Sequence, residues 1–395
     1  MKITIVAGAR PNFMKIAPII HRIEKAAGMG HDLIYRLVHT GQHYDTSLSG
    51  TFFRELDIPD PHVNLGAGSG SQAEQTASVM IRFEKELIAN PADLVIVVGD
   101  VTSTMACAIT AKKLNMRVAH VEAGIRSYDL SMPEEINRMV TDSITDYFFT
   151  TSEYANRNLR RSGVPDDRIF FTGNVMIDTL LANRHKFKKP QLWDQLGLKE
   201  KEFIIVTLHR PANVDNGKNL SGLLEAITAS AKGLKVIFPV HPRTKKVIST
   251  LNPGTLSFPI THTHSHTHTH TSHSHSHTHS HSHTLYLTPP LAYLEFNYLV
   301  ERALAVITDS GGITEETTVL GVPCMTLRSS TERPETCTVG TNEILGTDPA
   351  AIGPAMDKLR AGRWKKGSIP EKWDGKAAER IVEIIVRILD KSKNS

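Results

Sequence analysis

The chain has 395 residues, 40% of them hydrophobic and 22% charged, with a net charge of +4. That is the composition of a soluble globular protein too long for one ordinary core, so two domains of about 180 residues each are expected. Mild basicity permits an anionic ligand without marking a nucleic-acid partner, and no segment approaches the ~18 uninterrupted apolar residues of a membrane span. Cys107, Cys324 and Cys337 are scattered and form no CxxC pair, which suits reduced thiols in a cytoplasmic protein. Arg10, Asn12 and Lys15 interrupt the opening apolar run, unlike a secretory signal.

In chain order, residues 2–7 read as a strand buried on both faces of a parallel sheet. GARPNFMK follows, with Gly8 turning the chain into a helix over residues 13–27. It lacks GxGxxG, which removes the main support for a nicotinamide site. Arg10 and Lys15 beside the first helical amides suit a phosphate, or equally a solvated helix start. A strand at 33–39 leads to TGQHYD, residues 64–75 are a mobile Gly/Ser loop, and a helix to residue 89 precedes DLVIVVGD, whose strand ends at Asp100. Asp100 could also cap the helix that follows, TSTMACAITAKKL.

MRVAHVEA is the next strand, so Asp100 and Glu122 end strands of one sheet as neighbours. Residues 120–138, HVEAGIRSYDLSMPEEINR, concentrate Glu122, Asp129, Glu134, Glu135, Arg126 and Arg138 between a strand and a helix. Ile136, Met139, Val140 and Ile144 share one face of that helix. Ser131 and Glu134 fit a capping box, the local alternative to a chemical role for Glu134. The alternation continues to residue 183, and the basic, proline-ended residues 184–195 read as a linker.

The second half repeats the pattern. FIIVTLHRP ends in His209 and Arg210, a helix covers 219–232, and LKVIFPVHPRT ends in His241 and Arg243. A strand at 285–287 and a helix at 291–301 lead to ALAVITDSGGITEETTVLG, a strand, tight turn and helix. Ser310, Gly311 and Gly312 offer bare amides to a diphosphate, with Glu315 and Glu316 expected in the first turn, where a carboxylate can bind a ribose diol. The last helix, 377–390, is amphipathic. Two sequential α/β halves imply a ligand cleft between them. Residues 261–284 alternate His with Thr or Ser and hold eleven of the twenty histidines. This tract cannot bury a face and reads as an exposed low-complexity loop; its alternatives are metal handling and a pH-responsive surface, and no dedicated metal site is expected.

GARPNFMK, TGQHYD, VGDVTST, HVEAGIRS, MPEEINR, TGNVMIDTL, LHRPANV, HPRT, TDSGGITEE and TERPE occur in this order. Together they resemble the non-hydrolysing UDP-N-acetylglucosamine 2-epimerases along nearly the whole chain, the His-rich tract excepted. The resemblance implies two Rossmann-like domains of glycosyltransferase B-type architecture, residues 1–183 and 196–375, with residues 376–395 crossing back to the first. It implies C2 inversion of UDP-GlcNAc to UDP-ManNAc by anti elimination of UDP and re-addition, without metal or cofactor, in a homodimer. It assigns catalysis to Asp100, Glu122, Glu134 and His209. Substrate contacts fall to Arg10, Lys15, Phe296, Ser310, Gly311, Gly312, Glu316 and Arg333. Gln42, His43, Arg210 and His241 match a second, activating UDP-GlcNAc site. Leu291 stands where the family usually has a glutamine near the uracil, so that contact would use backbone, and Met132 replaces a frequent tryptophan, which leaves the exact substrate open. A close relative acting on a UDP-diacetamido sugar, or hydrolysing to free ManNAc, is the alternative. A retaining glycosyltransferase would share the architecture, and a metal-buffering protein would use the His tract.

Overall fold

The computed structural model describes residues 1–41, 53, 55–250, 260–262 and 285–393. Gln42, His43 and all but the first two residues of the His-rich tract lie outside the described residues. The chain forms two compact units: Met1–His185 with Pro370–Ser395, and Lys186–Ile369.

In the first unit the elements are β1 (Lys2–Ala7), α1 (Arg10–Gly28), β2 (Ile34–His39), β3 (Val63–Asn64), α2 (Gln72–Ala89) and β4 (Leu94–Val98). They continue as α3 (Thr102–Lys113), β5 (Arg117–Val121), α4 (Pro133–Ile144), β6 (Tyr147–Thr150), α5 (Glu153–Arg161), β7 (Ile169–Phe171) and α6 (Val175–Asn183). The strands form one parallel sheet in the order β3-β2-β1-β4-β5-β6-β7. Its central strands are apolar runs because helices cover both faces; β4 is LVIVV, buried throughout. On one face Val38, Val95, Val97 and Val118 pack with Val79, Phe83 and Leu87 of α2 and with Ala106 and Cys107 of α3.

The second unit contains α7 (Gln191–Gln195), β8 (Phe203–Thr207), α8 (Pro211–Val214), α9 (Gly217–Ala231), β9 (Lys235–Pro239), α10 (Pro242–Ile248), β10 (Ile260–His262) and β11 (Leu285–Thr288). There follow α11 (Tyr293–Arg302), β12 (Ala305–Thr308), α12 (Gly311–Leu320), β13 (Cys324–Thr326), α13 (Pro334–Thr338), β14 (Asn342–Ile344) and α14 (Ile352–Arg360). Its parallel sheet has the order β10-β11-β9-β8-β12-β13-β14. Ile204, Val206, Val236 and Phe238 face Leu220, Leu223, Leu224 and Ile227 of α9. On the other side Phe203, Ile205 and Val306 face Leu299 and Val300 of α11. Part of the stretch expected as a linker is the helix α7, whose Leu192 is buried in this core.

After Pro370 the chain re-enters the first unit and ends in α15 (Ala377–Lys393), which packs on α1 and α6. Asp178 of α6 caps it, accepting from the amides of Ala377 (3.1 Å) and Ala378 (2.7 Å). Trp373, 1% exposed, donates its indole N–H to the Thr151 carbonyl. Gly173 has φ +95°, and a Cβ there would come within 2.0 Å of the Lys372 carbonyl oxygen.

Three local expectations change. The Gly/Ser loop ends in a capping box, Ser71 with Glu74, that starts α2 at Gln72. The box expected at Ser131–Glu134 does not form: α4 begins after Met132 without a side-chain cap, because the Ser131 hydroxyl donates to Asp129. And α4 is inverted relative to an ordinary amphipathic helix. Ile136 and Met139 are 47% and 45% exposed, while Glu135, Asn137, Arg138, Thr141 and Asp142 are buried.

Candidate active site

Each sheet has a point where strand order reverses, between β1 and β4 in the first and between β8 and β12 in the second. Crevices beyond the carboxyl ends of strands at such points are where open α/β sheets bind ligands. In the first unit α1 follows β1, starts at Arg10 and carries Lys15, and the turn after β4 carries Gly99 and Asp100. Glu122 follows the adjacent strand β5.

Lys15 and Glu122 form a buried ion pair, Nζ to Oε2 2.6 Å, with side chains 11% and 2% exposed. Gly99, at φ +70°, admits this pair; a Cβ there would lie 3.0 Å from Lys15 Nζ and 3.7 Å from Glu122 Oε2. Glu122 itself has φ +70°, a left-handed conformation that costs a non-glycine residue of order 1 kcal/mol and recurs at functional sites. Asn12 braces the turn: its Oδ1 accepts from the amides of Gly8 and Ala9, and its Nδ2 donates to the Val98 carbonyl.

Asp100 does not cap α3, whose N-cap is Val101 without a side-chain bond. Its carboxylate instead receives Nε and Nη2 of Arg138, both at 3.1 Å, and Asn137 donates to its carbonyl. Arg138 also pairs with Glu135, which accepts from the amides of Ser127 and Tyr128. The buried polar face of α4 therefore holds both the 127–128 loop and Asp100. Glu134 precedes Arg138 by one turn on that same face, at the helix start, and is exposed. Asp129 accepts from the amide and hydroxyl of Ser131, and its own amide donates to the Ser127 hydroxyl.

In the second unit His209 follows β8. Its Nδ1 lies 2.8 Å from Oδ1 of Asp309, which follows β12 and is fully buried. Asp309 also accepts from the amides of His209 and Arg210 and from Asn213. Burial raises the Asp309 carboxyl, but these donors outweigh it and hold the group below its ordinary range. With Nδ1 so engaged, Nε2 is the nitrogen left for chemistry, on a side chain 42% exposed. The His241 ring lies 5.9 Å from that of His209, and burial, then His209 and Arg243, lower its pKa. Arg210 donates to the Asp309 carbonyl and lies 3.8 Å from Glu332.

Ser310 is the N-cap of α12 and makes no side-chain cap bond. Nothing lies within 4 Å of a Cβ built on Gly311, so this helix start is open to an anion. Glu315 and Glu316 sit in the second turn of α12 rather than the first, because the helix already starts at Gly311. Both are buried: Glu315 pairs with Arg333, and Glu316 lies against Tyr293 and Asn297 of α11. Burial, reinforced by Glu315, pushes the Glu316 carboxyl up to about 7. Phe296 and Leu291 are partly buried against the core beneath α11.

Within the first unit the structure thus groups Lys15, Asp100 and Glu122 at one sheet edge, and within the second it groups His209, Arg210, His241 and Ser310–Gly312 at another. Asp309 was not singled out from sequence, although it ends a strand just as Asp100 does; Asn12 was read only as a break in the opening apolar run, and Glu135 only as one acid among those of residues 120–138. Among the described residues no group of three or more His, Cys, Asp or Glu is placed to hold a metal, and no helix is long and apolar enough to cross a membrane.

The family model for UDP-N-acetylglucosamine 2-epimerase matches residues 27–386. The UDP-N-acetylglucosamine 2-epimerase of Methanocaldococcus jannaschii is 36% identical over 392 residues, covering 98% of this chain and 99% of the relative. The UDP-2,3-diacetamido-2,3-dideoxy-D-glucuronate 2-epimerase of Pseudomonas aeruginosa is 32% identical over 394 residues, 98% of this chain and 100% of the relative. The crystal structure of the M. jannaschii UDP-GlcNAc 2-epimerase in complex with UDP-GlcNAc and UDP superposes with a TM-score of 0.80 at 36% identity, covering 98% of this chain and 100% of that one. The Neisseria meningitidis UDP-GlcNAc 2-epimerase bound to UDP-GlcNAc matches with a TM-score of 0.82 at 26% identity, covering 98% and 100%. On the extent of the family match and the near-complete coverage of these relatives, the chain belongs to the UDP-N-acetylglucosamine 2-epimerase family.

Proposed function

We propose that this enzyme interconverts UDP-GlcNAc and UDP-ManNAc. A base removes the C2 proton, the C1–O bond breaks as C1=C2 forms, and UDP leaves 2-acetamidoglucal; a proton then returns to the opposite face of C2 as a UDP oxygen rejoins C1. The observation that carries this reading is the Lys15–Glu122–Asp100 group at the switch point of the first sheet. A weakly acidic C–H needs a positioned base, and cationic character at C1 needs nearby carboxylates. Asp100, Glu122 and Glu134 are assigned to the sugar, and His209, oriented by Asp309, joins them in proton transfer. Arg10 and Lys15 serve the sugar and diphosphate. Ser310, Gly311 and Gly312 cradle phosphate, Glu316 takes the ribose hydroxyls, Phe296 packs on uracil and Arg333 adds a ligand contact. Turnover in D₂O, read by proton NMR, incorporates deuterium at C2; product without label refutes the scheme.

The Pseudomonas relative favours a second reading, C2 inversion of a UDP-diacetamido sugar. Incubation with each UDP-sugar and NMR identification of products separates this from UDP-GlcNAc inversion and from hydrolysis.

Three further assignments complete the proposal. The protein is a cytoplasmic homodimer, supported by apolar side chains exposed on the first unit, Ile81, Ile88, Leu130, Ile136 and Met139; Ile136→Glu is then monomeric by light scattering. A second UDP-GlcNAc activates through Gln42, His43, Arg210 and His241, so UDP-ManNAc alone gives a lag that UDP-GlcNAc abolishes. The His tract is an accessory, and its deletion leaves epimerisation intact.

A further inference from the structure

One buried cluster has no part in the scheme above. His120 sits inside β5, two residues before Glu122, and is 0% exposed. Its Nδ1 lies 2.7 Å from Asp142 Oδ1, and its Nε2 lies 2.8 Å from the carbonyl oxygen of Gly99. A carboxylate and a carbonyl can only accept. A neutral imidazole carries one N–H, so it would turn a bare nitrogen lone pair towards an oxygen in a site closed to water. That leaves a buried polar atom unsatisfied. With Asp142 ionised, both contacts are hydrogen bonds only if both ring nitrogens carry protons.

Asp142 is built to accept that charge. Its Oδ2 lies 2.6 Å from Arg126 Nη1 and 3.0 Å from the amide of Gly124. Burial raises the Asp142 carboxyl, yet His120 and Arg126 outweigh it and hold the group below its ordinary range. Imidazolium, guanidinium and one carboxylate sum to a net positive charge, buried in the first unit.

The bonds also have direction. His120 grips Gly99, the residue before Asp100, and Asp142 grips Gly124, two residues after Glu122. Gly99, Glu122 and Gly124 all hold left-handed backbones, at φ +70°, +70° and +78°. Glycine takes this conformation freely, but at Glu122 it persists only where the surroundings over-determine it. Asp142 projects from the inverted polar face of α4, which also supplies Arg138 to Asp100.

We propose that His120 carries protons on both ring nitrogens and, paired with Asp142, acts as a positioning device, fixing the strand-end turns that present Asp100 and Glu122. The function of those two carboxylates rests on the reading above; the charged pair does not. Nitrogen-15 NMR of the histidine-labelled, full-length wild type at neutral pH shows two ring N–H resonances that disappear in His120→Gln. A single ring N–H for His120, in either tautomer, overturns the proposal without recourse to any variant's folding. In kinetics, His120→Gln and Asp142→Asn lower kcat about 10- to 100-fold, the effect of an ångström-scale misplacement, while KM for UDP-GlcNAc stays within about threefold because neither residue is assigned a substrate contact. A raised KM at unchanged kcat overturns the positioning role. Inactivity of the wild type towards every UDP-sugar would sink the functional reading, and the ring-nitrogen spectrum still decides the imidazolium.

Discussion

Glu316→Gln is expected to stabilise the free protein and weaken nucleotide binding. The Glu316 carboxyl is buried in α12, its Oε1 makes no hydrogen bond, and burial with Glu315 nearby pushes it up to about 7 from an ordinary 4.5. That difference corresponds to roughly 3 kcal/mol between the two protonation states. Because the folded value is raised, the contribution to stability is fully present below 4.5 and is lost as pH rises through 7. Glutamine carries no charge at any pH. The variant should therefore match the wild type near pH 4.5 and exceed it above pH 7, by up to about 3 kcal/mol or roughly 5–10 °C in melting temperature for a unit of this size. Nucleotide binding moves oppositely. A carboxylate accepting two ribose hydroxyls makes charge-assisted bonds, and their loss of ~1.5–3 kcal/mol weakens UDP about 10- to 100-fold. Melting curves of both proteins at about pH 4 and about pH 8, on either side of the window, with UDP titrations at the higher pH supply the test. A stability difference that is equal at both pH values, or greater at the lower one, refutes the burial argument.

Lys15→Met takes the cation from Glu122 inside the first unit; removing one partner of a buried pair costs about 3–5 kcal/mol, so urea denaturation should show a clear loss and turnover should vanish. Glu134→Gln should behave differently, since the residue is exposed and caps nothing: the melting temperature holds within about 1 °C while kcat drops at least ~100-fold, and a co-varying loss of stability would return Glu134 to a structural role. Gly173→Ala drives a Cβ into the Lys372 carbonyl at a φ of +95°, which should cost more than about 2 kcal/mol and be seen as earlier loss of the buried Trp373 fluorescence.

The two sheets were legible because strands buried on both faces must be apolar, and LVIVV or FIIVT has few other readings. The edge strands Val63–Asn64, Ile260–His262 and Asn342–Ile344 were not, since two or three residues carry no periodicity. The helix α4 shows the limit more sharply. Periodicity correctly put Ile136 and Met139 on one face but could not say that the opposite, polar face is the buried one. That depends on partners far off in sequence: Asp100 for Arg138, His120 for Asp142. Asp309 was overlooked for the same reason, being 100 residues from the histidine it orients. Glu122 was chosen as a carboxylate at a strand end; its left-handed backbone had no sequence signal, because that conformation is expected of glycine.

The cap that Asp178 places on α15 has a bearing on synthesis. The first unit is discontinuous, and Trp373 and the closing helix reach it only after Lys186–Ile369 has been translated. A ribosome therefore releases the second unit as a finished, contiguous domain while the earlier-made one still lacks its last helix. Until then the α1 and α6 surfaces that α15 covers stay open to chaperones. Nascent chains arrested before residue 377 should accordingly display a protease-sensitive N-terminal half ahead of a resistant C-terminal one.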